Sequence, residues 1–373
     1  MKYPFEAEEG HTARTIGRRE FLLTAFATSV LHPKYLKVPT VSMRADTALI
    51  REPDAVNSND LFKPLVTPNV DFFIRNHFTA PAIRKDKWSL EISGMVAKPL
   101  KISYSDLLLS SSVRRPITLE CAGNFSGGPD VSTAMWTGVP LEELLKQAGV
   151  QAGAALVVFY GADSGKGEGV PLGTHFARAI PIEKAMDPST LLAYEMNDSP
   201  LPREHGFPLR ALVSGWYGMD SVKWLTRVEV SREPFKGLFQ QERYVAVESS
   251  GERQGITRMK VNSKFLRPTD GEEIHAKAYG IEGVAWAGEG KVARIELRFD
   301  SGRWQPVVVG ESPPSMVWVP WSYPWSIPRP AQYLIEVRAT DDRGDSQPLV
   351  RDPDRKDDYE LNTPHRVMVK VRW

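Results

Sequence analysis

The sequence predicts an α+β domain followed by an all-β sandwich. Its 373 residues exceed the length of one typical hydrophobic core, so two domains are expected. The stretch from about 61 to 245 mixes short strand patterns with short helix patterns. After about 246, segments alternate apolar and polar residues and are separated by Gly, Asp and Pro at the spacing of a sandwich. Together these patterns predict a mixed domain at 61–245 and a strand-only domain at 246–373.

Composition excludes several classes of function. The apolar content of 42% is ordinary for a globular protein, and a net charge of +1 gives no reason to expect nucleic acid as a partner. No run of eighteen apolar residues is present, so no membrane span is expected. A single cysteine excludes an internal disulfide, a C-x-x-C zinc site and a c-type haem attachment. We therefore expect no haem in this chain, and any haem would belong to a partner.

The N-terminal residues resemble a twin-arginine export signal. Arg18 and Arg19 are followed by Phe21, Leu22 and a short apolar run to Val30. A basic helix start is the alternative interpretation. The pattern predicts a signal at 1–30, a polar, Pro-rich tether at 31–60 and a periplasmic location.

Within the mixed domain, the clearest helix lies at 139–149. Pro140 stands near its start, Glu142 and Glu143 lie in its first turn, and Gly149 ends it. Strands are predicted at 88–96 and 154–160, and a short helix at 104–109. The glycine-rich stretch 161–169 matches neither phosphate-loop spacing, so we expect a flexible loop there.

Cys121 stands at a predicted strand end. Ile117, Leu119 and Cys121 alternate with polar residues, and the strand runs into a turn at Gly123-Asn124. A lone cysteine is more often a small buried apolar residue. A thiol presented beside a glycine that permits close approach instead favours a soft-metal ligand or a catalytic group.

The motif LECAGN at 119–124, followed by WTGVPLEELL at 136–145, resembles the molybdenum-binding core of the sulfite oxidase family of molybdopterin enzymes. Further matches follow the same order along the chain: FFIRNH at 72–77, the stretch 191–224 and NTPHRV at 362–367. The resemblance spans about residue 50 to the C-terminus. It implies a molybdopterin-binding domain followed by an immunoglobulin-like dimerisation domain, and hence a homodimer.

The resemblance also implies roles for individual residues. Cys121 would ligate molybdenum, Arg75 would reach the substrate anion, and Tyr244 would lie beside the metal's exchangeable oxygen. The remaining implied positions contact the pterin or its phosphate, as a planar guanidinium, an ammonium group and a carboxylate are suited to do. These cofactor-binding positions are Phe73, Arg75, Asn76, His77, Asp163, His205, Arg210, Ser221, Val222 and Lys223.

The implied function is transfer of an oxygen atom to sulfite or to a protein-bound sulfur group. Molybdenum and molybdopterin would be the cofactors, and cytochrome c would accept the electrons. Two alternatives remain open: an S-oxide or N-oxide reductase on the same scaffold, and a non-catalytic binding protein that has lost the metal.

The chain departs from the family at two positions after the cysteine motif. Well-known sulfite oxidases have two arginines there, one of which helps to bind sulfite, whereas this chain has Phe125 and Ser126. The substrate pocket has therefore lost a cation unless Arg178 or Arg243 enters it. We expect weak oxidation of free sulfite, with Arg75 as the main anion anchor.

Overall fold

The computed structural model describes residues 66–167, 169–307 and 315–373. The predicted export signal and tether lie outside the described residues. The strands, numbered along the chain, are β1 Ser89–Gly94, β2 Leu100–Ser103, β3 Val113–Glu120, β4 Val131–Pro140, β5 Leu156–Gly167, β6 Val170–Pro181, β7 Leu191–Met196, β8 Ser199–Pro200, β9 Arg210–Leu212, β10 Leu225–Ser231, β11 Val245–Val247, β12 Arg253–Gly255, β13 Asn262–Arg267, β14 Glu273–Ile274, β15 Ala278–Trp286, β16 Val292–Phe299, β17 Gln305–Pro306, β18 Val319–Ser326, β19 Gln332–Asp341 and β20 His365–Val371. The helices are α1 Tyr104–Leu109, α2 Leu141–Ala148, α3 Ile182–Ala185 and α4 Leu238–Gln241.

Two sheets form the first half of the described chain. One has the order β2-β1-β10-β5-β6, and the other has the order β3-β4-β7-β8 with β9 paired to β7. Within the first sheet β1 and β10 run parallel, and the other pairs run antiparallel. Buried apolar side chains from the first sheet and from α1 and α2 form one large core. The result is the predicted α+β arrangement.

Local sequence signals account for the two longer helices. In α1, the Ser103 hydroxyl accepts the Asp106 N–H, and the Asp106 carboxylate accepts the Ser103 N–H, which together form a capping box. Helix α2 begins after Pro140 and ends at Gly149, which has a φ of 70°. The Gly149 N–H donates to the Leu145 carbonyl at 3.0 Å. Both predicted helices are therefore present.

The second half contains two packed sheets. Their orders are β13-β15-β18 and β14-β20-β19-β16-β17. Fully buried side chains from both sheets, among them Ile281, Ile295, Leu297, Ile335 and Val337, form a separate core. This arrangement confirms the predicted all-β domain after the mixed one.

One local prediction was wrong, and one strand was not predicted. The glycine-rich stretch was predicted to be a flexible loop, but β5 continues through it to Gly167 because it pairs with β6. Strand β18 was not predicted, since Pro320 and Pro324 interrupt its alternation.

The second half reaches into the strand that carries the cysteine motif. Glu120, the last residue of β3, is buried and accepts hydrogen bonds from Trp286 Nε1 at 2.9 Å and Asn262 Nδ2 at 3.3 Å. Thr118, also in β3, donates its N–H to the Met316 carbonyl at 3.1 Å and accepts the Trp318 N–H at 2.8 Å. The second half of the chain therefore helps to hold β3, the strand that ends next to Cys121.

In the part of the chain that the structure describes, no helix has the length and apolar character needed to cross a membrane.

Candidate functional site

A pocket opens beside Cys121, and we call it the Cys121 pocket. Residues from widely separated parts of the sequence meet there, from the segment before β1 to the loop before β11. Its lining consists of Phe73, Arg75, Asn76, His77, Cys121, Ala122, Asp163, Phe176, Arg210, Gly218, Met219, Ser221, Lys223, Trp224 and Tyr244. All the predicted site residues line it except His205 and Val222.

Cys121 is fixed by the backbone on both sides. Its N–H donates to the Asp130 carbonyl at 2.9 Å, and its carbonyl accepts the Asn124 N–H at 2.9 Å. Burial raises the pKa of the thiol, which the Gly123 backbone N–H partly offsets. The thiol is therefore neutral unless a cation or metal binds it, and a metal would deprotonate it.

His77 and Tyr244 form an aromatic wall of the pocket. Tyr244 Oη and His77 Nε2 lie 2.7 Å apart and share a hydrogen bond. The His77 ring stacks on Phe176 with its centroid 4.7 Å away. Burial, and then the nearby cations Lys223 and Arg75, lower the pKa of His77, while burial raises that of Tyr244. A neutral imidazole and a protonated phenol therefore face the pocket.

Two further lining residues, Arg210 and Lys223, form a cationic side of the pocket. Arg210 is buried, donates from Nε to the Ser221 carbonyl at 3.2 Å and lies over the Trp136 ring. It makes no ion pair with the described residues. Burial lowers the pKa of Arg210 to about 9. A buried guanidinium without a carboxylate partner is suited to a bound anion, because a buried charge needs pairing.

Lys223 lies close to Arg210. Its Nζ donates to the carbonyls of Arg75 at 3.1 Å and Glu204 at 3.0 Å, and to the side-chain oxygen of Asn76. Burial and the neighbouring Arg210 charge lower the pKa of Lys223 to about 7. An anion bound between the two side chains would hold both in their charged forms.

His205 and Val222 are buried near these two cationic residues, His205 near Arg210 and Val222 next to Lys223 in sequence. His205 is buried, its Nε2 lies 3.1 Å from the Asn69 carbonyl, and its ring packs against Phe72. Burial, assisted by Arg210, lowers the pKa of His205 to about 4. The Val222 carbonyl accepts the Ala211 N–H at 2.9 Å.

Asp163 presents an unsatisfied group. It is 4% exposed, and its Oδ1 is buried without a hydrogen-bond partner in the described structure. Burial raises the pKa of Asp163 to about 6. Orphaned buried acceptors are rare in folded proteins, so a ligand with donor groups fits this position.

Neither arginine considered for the missing cation lines the pocket. Arg178 is buried, pairs with Asp220 at 2.7 Å and donates to the Phe239 carbonyl. Arg243 is exposed and close enough to lower the pKa of His77. Phe125 is 59% exposed, and the Ser126 hydroxyl donates to the Thr363 carbonyl at 2.5 Å. Arg75, whose side chain is 67% exposed, is the arginine at the pocket entrance.

Sequence reasoning missed Phe176, Met219 and Trp224 as lining residues. Phe176 enters through the pairing of β6 with β5, which a sequence pattern does not reveal. Trp224 has a φ of 51°, an uncommon backbone conformation for a bulky residue. Its neighbour Lys223 lies over its indole ring, with Nζ 4.7 Å from the centroid.

The donors in the pocket fit a ligand with three chemically distinct parts. The lone thiol suits a soft metal, Asp163 suits a ring with amino donors, and Arg210 with Lys223 suits a phosphate. No group of three or more His, Cys, Asp or Glu side chains among the described residues is placed to hold a metal alone. The other metal ligands would therefore come from the bound group.

Two protein families match the chain. Residues 77–239 match the family described as oxidoreductase molybdopterin binding domain, and residues 253–370 match the Mo-co oxidoreductase dimerisation domain. The first match contains Cys121, Asp163, Arg210 and Lys223.

Similar proteins include sulfite oxidases and nitrate reductases. The human mitochondrial sulfite oxidase is 33% identical over 88% of this chain and 68% of its own length. A tomato NADH nitrate reductase is 31% identical over 76% of this chain and 36% of its own length. The chain thus spans about two thirds of the human enzyme.

Among solved structures, the sulfane dehydrogenase SoxCD from Paracoccus pantotrophus is similar to this chain. The TM-score is 0.75 at 25% sequence identity, and the match covers 83% of this chain and 84% of that one. The similarity therefore extends over both halves of the described structure.

Proposed function

Because the chain belongs to the sulfite oxidase family of molybdopterin oxidoreductases, we propose that it oxidises sulfite or a protein-bound sulfur group and passes the electrons to a cytochrome c. The observation that carries the proposal is the position of Cys121. Its thiol lines one pocket together with the exposed Arg75, the buried Arg210 and Lys223. This arrangement suits a metal cofactor between an external anion and an internal phosphate.

In this proposal, Cys121 supplies the protein's ligand to molybdenum. Arg210 and Lys223 hold the cofactor phosphate, and Asp163 accepts hydrogen bonds from the pterin ring through its orphaned Oδ1. Phe73, Asn76 and Ser221 complete the walls around the cofactor. The bound cofactor supplies two-electron oxygen-transfer chemistry, and the chain supplies orientation and charge.

Tyr244 and His77 would position oxygen atoms at the reacting end of the pocket. When His77 Nε2 donates to Tyr244 Oη, the phenol hydrogen is left to point towards a bound oxygen. The raised pKa of Tyr244 keeps that hydrogen in place. Arg75 would draw the sulfur anion to the pocket entrance, since a guanidinium binds oxyanions through two parallel N–H donors.

The overall reaction with sulfite balances as follows. Sulfite and one water give sulfate, two protons and two electrons. A one-electron acceptor such as cytochrome c must therefore be reduced twice in each turnover. SoxCD is named a sulfane dehydrogenase, which supports a reduced sulfur group as substrate.

A direct assay tests this proposal. The full chain, purified from a molybdate-supplied host, should contain close to one molybdenum per chain and reduce ferricytochrome c when sulfite is added. Reduction of an S-oxide by a chemically reduced dye, without sulfite oxidation, would instead favour the reductase alternative, which the nitrate reductase relatives also raise. Protein without molybdenum under these conditions would favour a binding role.

We also propose export by the twin-arginine route, from Arg18 and Arg19. This route carries folded proteins, which suits a cofactor loaded before transport. Replacing both arginines by lysine should retain the protein in the cytoplasm, as measured by fractionation. Unchanged export of that variant would contradict this proposal.

A further inference from the structure

The loop that follows Cys121 is tied down by the second half of the chain. Ser126 donates to the Thr363 carbonyl, and Lys264 Nζ donates to the Gly128 carbonyl at 3.3 Å. The His365 ring lies against Gly127, where a Cβ atom would collide with it. The loop side chains where the family arginines would stand are thus directed into structural contacts or solvent.

The same loop returns to the pocket entrance at Asp130. The Asp130 N–H donates to Asn124 Oδ1 at 3.1 Å, and its carbonyl accepts the Cys121 N–H at 2.9 Å. These backbone bonds hold the residue beside the thiol whatever its side chain does. One Asp130 carboxylate oxygen then lies 3.7 Å from Arg75 Nε, and the Asp130 side chain is 26% exposed.

Asp130 therefore places a negative charge beside Arg75, the exposed cation of the pocket. Arg75 pairs directly with the Asp130 carboxylate. The same charge partly offsets the lowering of the Lys264 pKa by burial. The carboxylate is also close enough to act on the Cys121 thiol, in the direction opposite to Arg75. A small dianion approaching Cys121 would meet a guanidinium whose charge is already partly compensated.

We propose that Asp130 is a specificity-determining residue that lowers the affinity of the Cys121 pocket for free dianions and favours sulfur groups with one negative charge or none. This inference rests on the proposed function, because it assumes that the entrance at Arg75 admits the substrate. According to this inference, Asp130 discriminates between substrates by their charge rather than by their size.

Equilibrium binding of sulfate, the dianionic product of sulfite oxidation, tests the inference separately from turnover. With the full chain purified with its cofactor, Asp130→Asn should bind sulfate about tenfold more tightly than the unchanged protein by titration calorimetry. Raising the ionic strength should reduce the gain, because exposed charges are screened. Asp86→Asn is the matched control, since Asp86 pairs with Arg84 in an exposed ion pair away from the pocket.

Turnover provides the second measurement. The KM for free sulfite should fall about tenfold in Asp130→Asn while kcat stays within about twofold, a pattern that damage to the fold would not give. Asp130→Ser, which also removes the charge, serves if the asparagine variant folds poorly. Sulfate affinity that is unchanged, lowered or unmeasurable in both charge-removing variants would overturn the inference. Tighter sulfate binding without any sulfite turnover would leave the inference intact and overturn the proposed function.

Discussion

At the scale of single residues, Cys121 combines a fixed position with a suppressed charge. Backbone hydrogen bonds hold it at the end of β3, and burial raises the pKa of its thiol. A metal is the partner that would convert this neutral thiol into a ligand, since metals bind the thiolate form. Deprotonation of the thiol by a metal agrees with the membership of the chain in a family of molybdopterin oxidoreductases.

We expect Cys121→Ser to abolish sulfite-dependent turnover, because an alcohol is a far poorer ligand for a soft metal. The thermal midpoint should change by only a few degrees, since serine keeps the backbone contacts. Steady-state activity, metal content and thermal unfolding measure the three effects. Near-normal turnover in this variant would contradict the role given to Cys121.

A second residue-scale prediction concerns His365 and acid. Its Nδ1 accepts the Phe265 N–H at 3.0 Å, which requires the neutral ring, and burial lowers the pKa of His365 to about 4. The folded-state pKa lies below the ordinary value of 6.5, so this stabilisation is present above about pH 6.5. As the pH falls from about 6.5 towards about 4, the free energy of unfolding should decrease by about 3 kcal/mol in total.

Chemical unfolding at a series of pH values measures this loss. His365→Gln should make the stability of the protein less dependent on pH between 6.5 and 4, whereas replacing the exposed His275 should not. An unchanged pH dependence in His365→Gln would show that another group is responsible.

Most residues that line the pocket could be predicted from the sequence, but the charged groups around its entrance could not. The family resemblance predicted that Cys121, Asp163 and Arg210 share one site, and all three line the Cys121 pocket. Asp130 was not identified, since its importance depends on a loop path that returns it to Arg75 across 55 positions of sequence. The exclusion of Arg178 likewise depends on its buried partner Asp220.

At the scale of elements, the loop between β3 and β4 depends on one glycine. Gly127 has a φ of 76°, and the His365 ring occupies the space where a side chain would begin. We expect Gly127→Ala to cost about 3 kcal/mol, from left-handed strain of about 1–2 kcal/mol and from crowding. Gly251→Ala is the matched control, because Gly251 has a similar φ of 86° and open space around it.

Denaturant unfolding compares the two glycine variants. Gly251→Ala should show the strain alone, about 1 kcal/mol. Equal losses of stability in both variants would mean that the contact with His365 contributes nothing.

Strand β6 and the short 3₁₀ turn Gly218–Asp220 are joined by the buried pair Arg178–Asp220. Arg178→Met would leave the Asp220 carboxylate buried and unpaired, so we expect a loss of about 3–5 kcal/mol. Arg114→Met, at the exposed pair with Asp198, should cost less than about 1 kcal/mol. Replacing both members, by Arg178→Met with Asp220→Leu, should recover part of the loss, and failure to recover any would contradict the unpaired-charge explanation.

Element prediction succeeded where local chemistry decides the structure. Helix α1 has its capping box, and α2 has its proline and glycine limits. It failed where tertiary pairing overrides local preference. The glycines of β5 became strand residues because β6 pairs with them, and β18 accommodates Pro320 and Pro324 that argue against a strand.

At the scale of the whole molecule, we expect a homodimer that associates mainly through residues after about 246. The match of residues 253–370 to a dimerisation domain is the basis, and two-fold pairs are the commonest oligomers. Sedimentation at micromolar concentration should give about twice the chain mass of 41.7 kDa. A single-chain mass at that concentration would contradict the prediction.

The bonds from Trp286 and Asn262 to Glu120 limit the modularity of this protein. Two family matches suggest two interchangeable units, yet Glu120, next to Cys121 in the chain, accepts hydrogen bonds from the second unit. Severed near residue 246, the first unit would expose the Glu120 site and lose those donors. Recombination between relatives would therefore have to preserve both sides of this contact. An engineered chimera would need Glu120 and its donors Asn262 and Trp286 from compatible parents.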